Sequence, residues 1–110
     1  MRAAVYDADL SDPAVIPALF DRIEHELGPV DVLVNNAAHA ENPDTTLTIS
    51  AGPIDRTFGV NMRASVLLTA EFTRRFRQRG GRDGRVINLS TDAAQVFAGQ
   101  ITYGASKAAM

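Results

Sequence analysis

The chain has 110 residues, 45% of them hydrophobic and 22% charged, with a formal net charge of −2 at pH 7, as is typical of one small globular domain. It contains no cysteine, which excludes disulfides, thiolate metal sites and a cysteine nucleophile, and we expect no metal. No apolar run approaches the length of a membrane span, and no secretory signal opens the chain. The charge is slightly acidic. We therefore expect a cytoplasmic protein that binds neither membranes nor nucleic acids.

The first half of the chain predicts a strand, a helix and a second strand. The short apolar run 3–6 predicts the first strand. The segment Ser11-Asp12-Pro13 is typical of a helix start. Apolar residues that recur every four positions from Val15 to Leu27 predict an amphipathic helix, which ends at Gly28-Pro29. The run 30–34 is almost continuously apolar, which indicates a strand covered on both faces, as in a parallel sheet.

The second half predicts a loop, a long helix, a third strand and the beginning of another helix. The polar loop spans 37–52, and the long helix begins at Pro53 and ends in a basic, glycine-rich turn at 77–84. The run 85–89 predicts the third strand, and a further loop leads into a helix that begins at Tyr103. Strands that alternate with helices predict an α/β fold with parallel strands, in which 30–34 lies beside 85–89.

Tyr103 and Lys107 are the strongest candidates for chemistry. They are four residues apart on a predicted helix and so project from one face, and Lys107 is the only lysine in a chain with ten arginines. An ammonium beside a phenol favours the phenolate, which lets a tyrosine act as an acid or base near neutral pH. The hydroxyl of Ser90, at the end of the preceding strand, could hold the oxygen of a carbonyl or alcohol. The same spacing also occurs on solvated helices, so the pair alone leaves a structural interpretation open.

Four short motifs follow one another along the chain: Asp9-Leu10, Asn35-Asn36-Ala37-Ala38, Val60-Asn61 and Tyr103-Gly104-Ala105-Ser106-Lys107. Through them the chain resembles the short-chain dehydrogenase/reductase family over essentially its whole length. The first is similar to that family's acidic contact to the adenine ring. The second resembles its Asn-Asn-Ala-Gly element, with Ala38 in place of glycine. The third resembles its helix asparagine, and the last matches its active-site Tyr-x-x-x-Lys.

The resemblance implies a partial Rossmann-type, doubly wound parallel sheet of about three strands with crossover helices. It implies an oxidoreductase that transfers hydride between NAD or NADP and a small carbonyl or alcohol substrate, in an intact parent that is a homo-oligomer. Tyr103 would be the general acid/base, Lys107 its activator and a ribose ligand, and Ser90 the holder of the substrate oxygen. Asn61 would anchor a proton relay, through a helix distortion whose freed carbonyl holds a water. The implied cofactor contacts are Asp9, Leu10, Asn36, Ala37, Ala38, Tyr103 and Lys107.

Three of these assignments have alternatives. Counting back from Tyr103 selects Ser90 as the catalytic hydroxyl, whereas counting forward from the strand entry at Gly84-Arg85 selects Thr91. Asn61 falls on the apolar stripe of its helix, where a polar side chain costs free energy unless it is hydrogen-bonded, so it could be a satisfied core asparagine. Asp9 could simply end a strand.

The glycine-rich turn that binds pyrophosphate in dinucleotide folds does not occur in these 110 residues. We therefore interpret residues 1–110 as a single partial dinucleotide-binding domain, truncated at both ends and inactive alone. It would supply strands 3, 4 and 5 of the order 3-2-1-4-5-6. Two missing strands would then separate its first strand from the others, so that this strand must collapse onto them, pair elsewhere or stay loose.

Two other functions stay open at this point. One is a catalytically inactive remnant that keeps the motifs but binds no cofactor. The other is a receiver-like phosphoacceptor domain, which the Asn35-Asn36 pair argues against because an acceptor aspartate is needed at the end of that strand.

Overall fold

A computed structural model describes residues 1–95 and 98–110. Helix α1 (Val15–Leu27) is followed by strand β1 (Val32–Asn35), helix α2 (Ala51–Phe58), a π-helical turn (Gly59–Arg63) and helix α3 (Ala64–Gln78). Strand β2 (Arg85–Asn88), a 3-10 turn (Asp92–Ala94) and helix α4 (Ile101–Ala109) come next. The segments α2, π turn and α3 are continuous and form the predicted long helix. No helix in the described ranges is long and apolar enough to cross a membrane.

The two strands lie side by side and parallel, as predicted. Val32 pairs with Arg85 at one end and Asn35 with Asn88 at the other. The amide of Leu89 donates to the carbonyl of Asn35 and extends the ladder by one bond (3.1 Å). Because both strands run the same way, their carboxyl ends, where Asn35-Asn36 and Leu89-Ser90 follow, lie at one edge of the sheet. The α/β class is therefore confirmed.

The predicted first strand is not formed, and the described residues contain a two-stranded sheet rather than about three strands. Residues 3–6 have no strand structure, and Val5 is 93% exposed. The segment lies along α1, where the Tyr6 hydroxyl donates to the Glu26 carboxylate (2.7 Å). A strand needs a neighbour to take its amides and carbonyls, and no described strand lies beside this one. The segment neither joins the other strands nor pairs with another described strand, and contacts α1 instead.

The expectation that both strands are covered on two faces is also wrong for the described residues. Val32, Val34 and Ile87 are each about half exposed. Leu33, which points to the other side of β1, packs against the core of Ile16, Phe20 and Phe72. Helices α1 and α3 cover that one face, and nothing in the described ranges covers the opposite one.

The glycine-rich turn after α3 serves packing rather than phosphate binding. The rings of Phe72 and Phe76 stack with centroids 5.6 Å apart. A Cβ on Gly81 or Gly84 would lie within 2.8 Å of the Phe76 ring, which no real side chain tolerates. These two glycines therefore let the turn fold closely over Phe76 and lead the chain into β2.

An ion network joins α1 to α3. Arg75 donates to the carboxylates of Asp21 (2.7 Å), Glu24 (2.9 Å) and Glu71 (2.6 Å). Glu71 is buried and also contacts Arg74. Burial raises the pKa of Glu71, but the hydrogen bonds from Arg75 and Arg74 more than offset it, so that the pKa is below its ordinary value. Arg75 thus connects two helices that are far apart in the sequence.

Candidate active site

Helix α4 carries Tyr103 and Lys107 and is held at its start by a residue of the loop after β1. The carboxylate of Asp44 accepts hydrogen bonds from the amides of Thr102 and Tyr103, each 3.0 Å long. The backbone carbonyl of Asp44 accepts from the amide of Ile101 (3.3 Å). The first four amides of a helix have no partner within the helix, and Asp44 supplies acceptors for three successive ones.

Lys107 lies where α4 meets the end of β2. It is 5% exposed, and its ammonium Nζ donates to the backbone carbonyl of Leu89 (2.7 Å). The hydroxyl of Ser90 contacts the backbone carbonyl of Lys107 at 3.5 Å. The fold therefore brings Ser90 next to the helix that carries Tyr103 and Lys107. A lysine ammonium has three donors, and Leu89 is the only acceptor that Nζ has among the described residues.

Tyr103 is half-buried, one turn before Lys107 on α4. No described residue is hydrogen-bonded to its hydroxyl, whereas its backbone amide is bound by Asp44. Tyr103 lines a cavity of about 540 Å³ together with Glu41, Asn42, Asp44 and Gln100. The cavity lies between the loop after β1 and the start of α4, and it is large enough for a small organic molecule.

Asn61 lies in the π-helical turn, so the helix is distorted at the position where the resemblance implies a distortion. Its side chain is completely buried and fully hydrogen-bonded. Nδ2 donates to the carbonyl of His39 (2.8 Å) and to the hydroxyl of Ser106 (2.9 Å), and Oδ1 accepts from the amide of His39 (2.7 Å). The side chain is thus a satisfied core asparagine that ties the loop after β1 to α4. Its backbone carbonyl accepts from the Ser65 hydroxyl (3.3 Å).

Thr91, the alternative catalytic hydroxyl, caps the 3-10 turn. Its hydroxyl oxygen accepts from the amide of Ala93 (3.4 Å) and donates to the carboxylate of Asp92 (3.2 Å). Among the described residues, the Ser90 hydroxyl has only the long contact to Lys107, and Ser90 is exposed. This difference favours Ser90 as the hydroxyl that is available to a substrate.

The residues that resemble cofactor contacts lie at the carboxyl end of β1. Leu10, Asn36 and Ala37 line a small cleft of about 60 Å³ together with Val60, and Ala38 lines the cavity next to Tyr103. Asp9 is exposed, and its carboxylate accepts hydrogen bonds from the hydroxyl and the amide of Ser11. These two bonds, of which the one from the hydroxyl has the larger effect, hold the pKa of Asp9 below its ordinary value. Asp9 therefore stabilises a turn, which leaves its contact to adenine a prediction.

A nucleotide fits this edge of the sheet in part. The buried Oδ1 of Asn35 has no described hydrogen-bond partner, although Nδ2 donates to Asn88 (2.8 Å) and Thr69 (3.3 Å). The donors left on Lys107 also point to a ligand with hydroxyl or carbonyl oxygens. The residues that resemble the family's nucleoside and nicotinamide contacts stay predictions, and no glycine-rich turn for the pyrophosphate occurs in the sequence.

Three residues that hold α4 in place were given no role of their own from the sequence: Asp44, Gly104 and Ser106. Asp44 is 59 positions from the amide that it binds, and no local pattern relates the two. A Cβ on Gly104 would lie 2.4 Å from the carbonyl oxygen of Ala93, so glycine is required where α4 crosses the 3-10 turn. The hydroxyl of Ser106 accepts from Asn61 and donates to the carbonyl of Tyr103 (2.8 Å).

Comparison with known proteins agrees with this geometry. The family model described as short chain dehydrogenase matches residues 1–110. The chain is 33% identical over 111 residues to "Uncharacterized oxidoreductase YjdA" of Bacillus subtilis (strain 168), covering all of this chain and 44% of that protein. It is 38% identical over 112 residues to "NADPH-dependent aldehyde reductase 2, chloroplastic" of Arabidopsis thaliana, covering 99% of this chain and 40% of that protein. The chain belongs to the short-chain dehydrogenase/reductase family.

Solved structures show the same fold. "4-hydroxyisoleucine dehydrogenase complexed with NADH" superimposes with a TM-score of 0.82 at 26% identity, covering 93% of this chain and 44% of that one. "KRED1-Pglu enzyme" has a TM-score of 0.80 at 24% identity, with 93% and 42% covered. The Rossmann-type fold is therefore confirmed, and nicotinamide dinucleotides are the cofactors of the intact fold.

The comparisons also bear on the length and the other functions considered. The chain spans about 40–44% of the length of these relatives and structures. The family match excludes the receiver-like domain and does not favour the inactive remnant. Because the Arabidopsis relative is chloroplastic by name, the cytoplasmic location stays a prediction.

Proposed function

We propose that this chain supplies the catalytic segment of an NAD(P)-dependent oxidoreductase that interconverts a small carbonyl compound and its alcohol. The observation that carries the proposal is the buried ammonium of Lys107, which lies at the end of β2 beside Ser90 and one turn after Tyr103 on α4. A buried lysine with a single neutral acceptor is costly for a purely structural role. A catalytic site that needs a fixed ammonium near a phenol would account for the burial of Lys107.

The proposed roles follow from the protons and hydrogen bonds that each side chain can offer to a substrate or cofactor. Bound NAD(P) supplies or accepts the hydride. Tyr103 donates the proton to the carbonyl oxygen in the reducing direction and removes it from the alcohol in the other. The Ser90 hydroxyl donates a hydrogen bond to the same oxygen and orients it. Lys107 would be the activator of Tyr103, and its ammonium offers its remaining donors to the ribose.

Asn61 and the cofactor contacts are parts of the same proposal. The π-helical turn at Asn61 supports the proposed proton relay, in which the backbone carbonyl of Asn61 would hold a water. Asp9, Leu10, Asn36, Ala37 and Ala38 would contact the nucleoside side of the cofactor. We also propose a homo-oligomeric parent.

The proposal is tested in a full-length context with a chimera. Residues 1–110 replace the matching segment of the Arabidopsis aldehyde reductase, to which they are 38% identical, and aldehyde reduction is followed by the oxidation of NADPH. We expect the chimera to be active. Tyr103→Phe should lower kcat by about a thousandfold or more, because the ring and its packing remain while the transferable proton is lost. Binding of NADPH, measured by fluorescence, should change little.

A second variant separates the two roles of the ammonium. Lys107→Ala should lower kcat and also weaken NADPH binding, because it removes both the charge beside the phenol and a ribose ligand. Arg77→Ala, an exposed change in the last turn of α3, is the matched control and should leave both unchanged. A Tyr103→Phe chimera that binds NADPH and keeps a near-normal rate would refute the assignment of the acid/base.

A further inference from the structure

Asp44 is a buried carboxylate that the roles given above do not use. It is 4% exposed, and each of its two oxygens accepts a different backbone amide of α4. Burial raises the pKa of Asp44, but the hydrogen bonds from the amides of Tyr103 and Thr102 more than offset it, so that the pKa is below its ordinary value. The carboxylate is therefore ionised at neutral pH. An anion at a helix N-terminus is favourable because it meets the positive end of the helix dipole.

No other described side chain caps this end of α4. Gln100 precedes α4, and its side chain makes no capping hydrogen bond. The backbone of Asp44 also forms a parallel bridge with Gln100 and accepts from the amide of Ile101. One residue of the loop after β1 thus holds the whole first turn of α4.

The site of this cap gives it a functional meaning. Tyr103 is itself one of the two residues whose amides are bound, so the cap fixes the Cα from which the phenol projects. Asp44 and Tyr103 line the same cavity of about 540 Å³, together with Glu41 and Asn42 from the loop. A displacement of the first turn of α4 would therefore move the phenol relative to anything bound in the cavity.

We propose that Asp44 is a positioning residue, which holds the phenol of Tyr103 at the wall of the substrate cavity by capping α4 with both carboxylate oxygens. The inference rests on the proposed function for its catalytic meaning, since it assigns Asp44 to the same reaction. The cap itself is independent of that function. The test therefore has one readout for the cap and another for the reaction.

The first readout is hydrogen exchange, measured by NMR on the 110-residue chain. Asn in place of Asp44 keeps the volume but offers one acceptor oxygen, so one of the two amides loses its partner. We expect Asp44→Asn to make the amide of Thr102 or Tyr103 exchange about tenfold faster, and Asp44→Ala to accelerate both. Asp12→Asn is the matched control, because the Asp12 carboxylate accepts from the amide of Ala14 in the turn just before α1 (3.0 Å). It should leave α4 unchanged.

The second readout is the split between kcat and KM in the active chimera. Asp44→Asn should lower kcat by about tenfold to a hundredfold, because misplacement of a reacting group by an ångström has effects of that size. KM for NADPH should change less than about twofold, because the substitution removes no contact that binds the ground state and the transition state equally. Asp12→Asn should leave both parameters unchanged.

The outcomes of the two readouts are distinct. Exchange at Thr102 and Tyr103 that is no faster in Asp44→Asn than in Asp12→Asn would overturn the cap. Faster exchange with an unchanged kcat would overturn the positioning role while leaving Tyr103 as the acid/base. If instead Tyr103→Phe has no effect on the rate, the proposed function fails, and the exchange data still report on the cap.

Discussion

At the residue scale, the backbone of α4 approaches the 3-10 turn so closely that one position has no room for a side chain. Gly104 is buried, and a Cβ there would meet the carbonyl oxygen of Ala93 at 2.4 Å. The obstacle is backbone and cannot rotate away as a flexible side chain does. Because Gly104 lies between Tyr103 and Lys107, this contact also sets how near the two candidate catalytic residues are to the end of β2.

We expect Gly104→Ala to lower the free energy of unfolding by about 1–3 kcal/mol, as overpacking does. This loss should occur although alanine favours a helix over glycine by about 1 kcal/mol. Urea unfolding followed by circular dichroism measures it. Gly52→Ala in α2 is the matched control, since its Cβ would meet only the end of the Arg56 side chain at 3.3 Å, and it should be neutral or stabilising. Equal effects of the two substitutions would contradict the close approach of Gly104 to the carbonyl of Ala93.

The residues that could be predicted are those whose role follows from a local pattern. Tyr103 and Lys107 share a helix turn and Ser90 follows a strand, but this spacing alone left a structural interpretation open, and the resemblance to the family singled them out. Asn61 was recognised as a polar residue on an apolar stripe, and the structure shows a satisfied core side chain within a distorted helix. Its role in a proton relay stays a prediction. Asp44 has no such pattern, because its partners are 58 and 59 positions away.

At the scale of elements, the helices and the strands β1 and β2 form where the pattern of apolar residues predicts them. The strand predicted at 3–6 does not form, and the cause lies outside its own sequence. Four apolar residues indicate a possible strand, but pairing depends on what lies beside them. The two-sided burial predicted for 30–34 fails for the same reason, since Val32 and Val34 need a second covering layer. The pattern of apolar residues predicts which face of an element can be buried. Whether that face is buried depends on a neighbouring strand or helix that packs against it.

The contact between α1 and α3 depends on Arg75, which binds three carboxylates on two helices. We expect Arg75→Met to lower the free energy of unfolding at pH 7 by about 2–4 kcal/mol, because it leaves the buried Glu71 with fewer donors. Urea unfolding measures the loss. Arg77→Met, on the same helix but exposed, should change it by less than about 0.5 kcal/mol. A similar loss in both variants would assign the effect to helix propensity or net charge.

The same network predicts an acid dependence. Since the pKa of Glu71 is lower in the folded state than its ordinary 4.5, its ionised form stabilises the fold above that value. This contribution is lost as the pH falls through the folded pKa. Removal of Arg75 lets the folded pKa of Glu71 rise, so the acid-unfolding midpoint of Arg75→Met should move to higher pH. A midpoint that does not move would show that Glu71 has little interaction with Arg75.

At the scale of the whole molecule, the described residues form one half of an open site. The sheet has a covered face and an apolar face half-exposed at Val32, Val34 and Ile87. The candidate nucleoside contacts and the candidate Tyr103–Lys107 pair lie at the carboxyl edge of two parallel strands, the edge at which ligands bind in such sheets. These 110 residues contain no glycine-rich turn for the phosphates. The site therefore lacks the interaction that contributes most to the affinity for a dinucleotide.

We therefore expect the 110-residue chain by itself to bind NAD and NADP weakly or not at all and to show no dehydrogenase activity. The charge–dipole attraction of a glycine-rich turn and helix N-terminus for pyrophosphate is lost. The remaining contacts also rest on a sheet with an uncovered face, so their preorganisation is reduced. Isothermal titration with each cofactor should give no dissociation constant below about 1 mM, which is only about 4 kcal/mol of binding free energy. The active chimera, titrated with NADPH in the same buffer, is the positive control. A micromolar dissociation constant for the chain alone would mean that it assembles a competent site without the glycine-rich turn, for example between two copies, and the role given to that turn would be wrong.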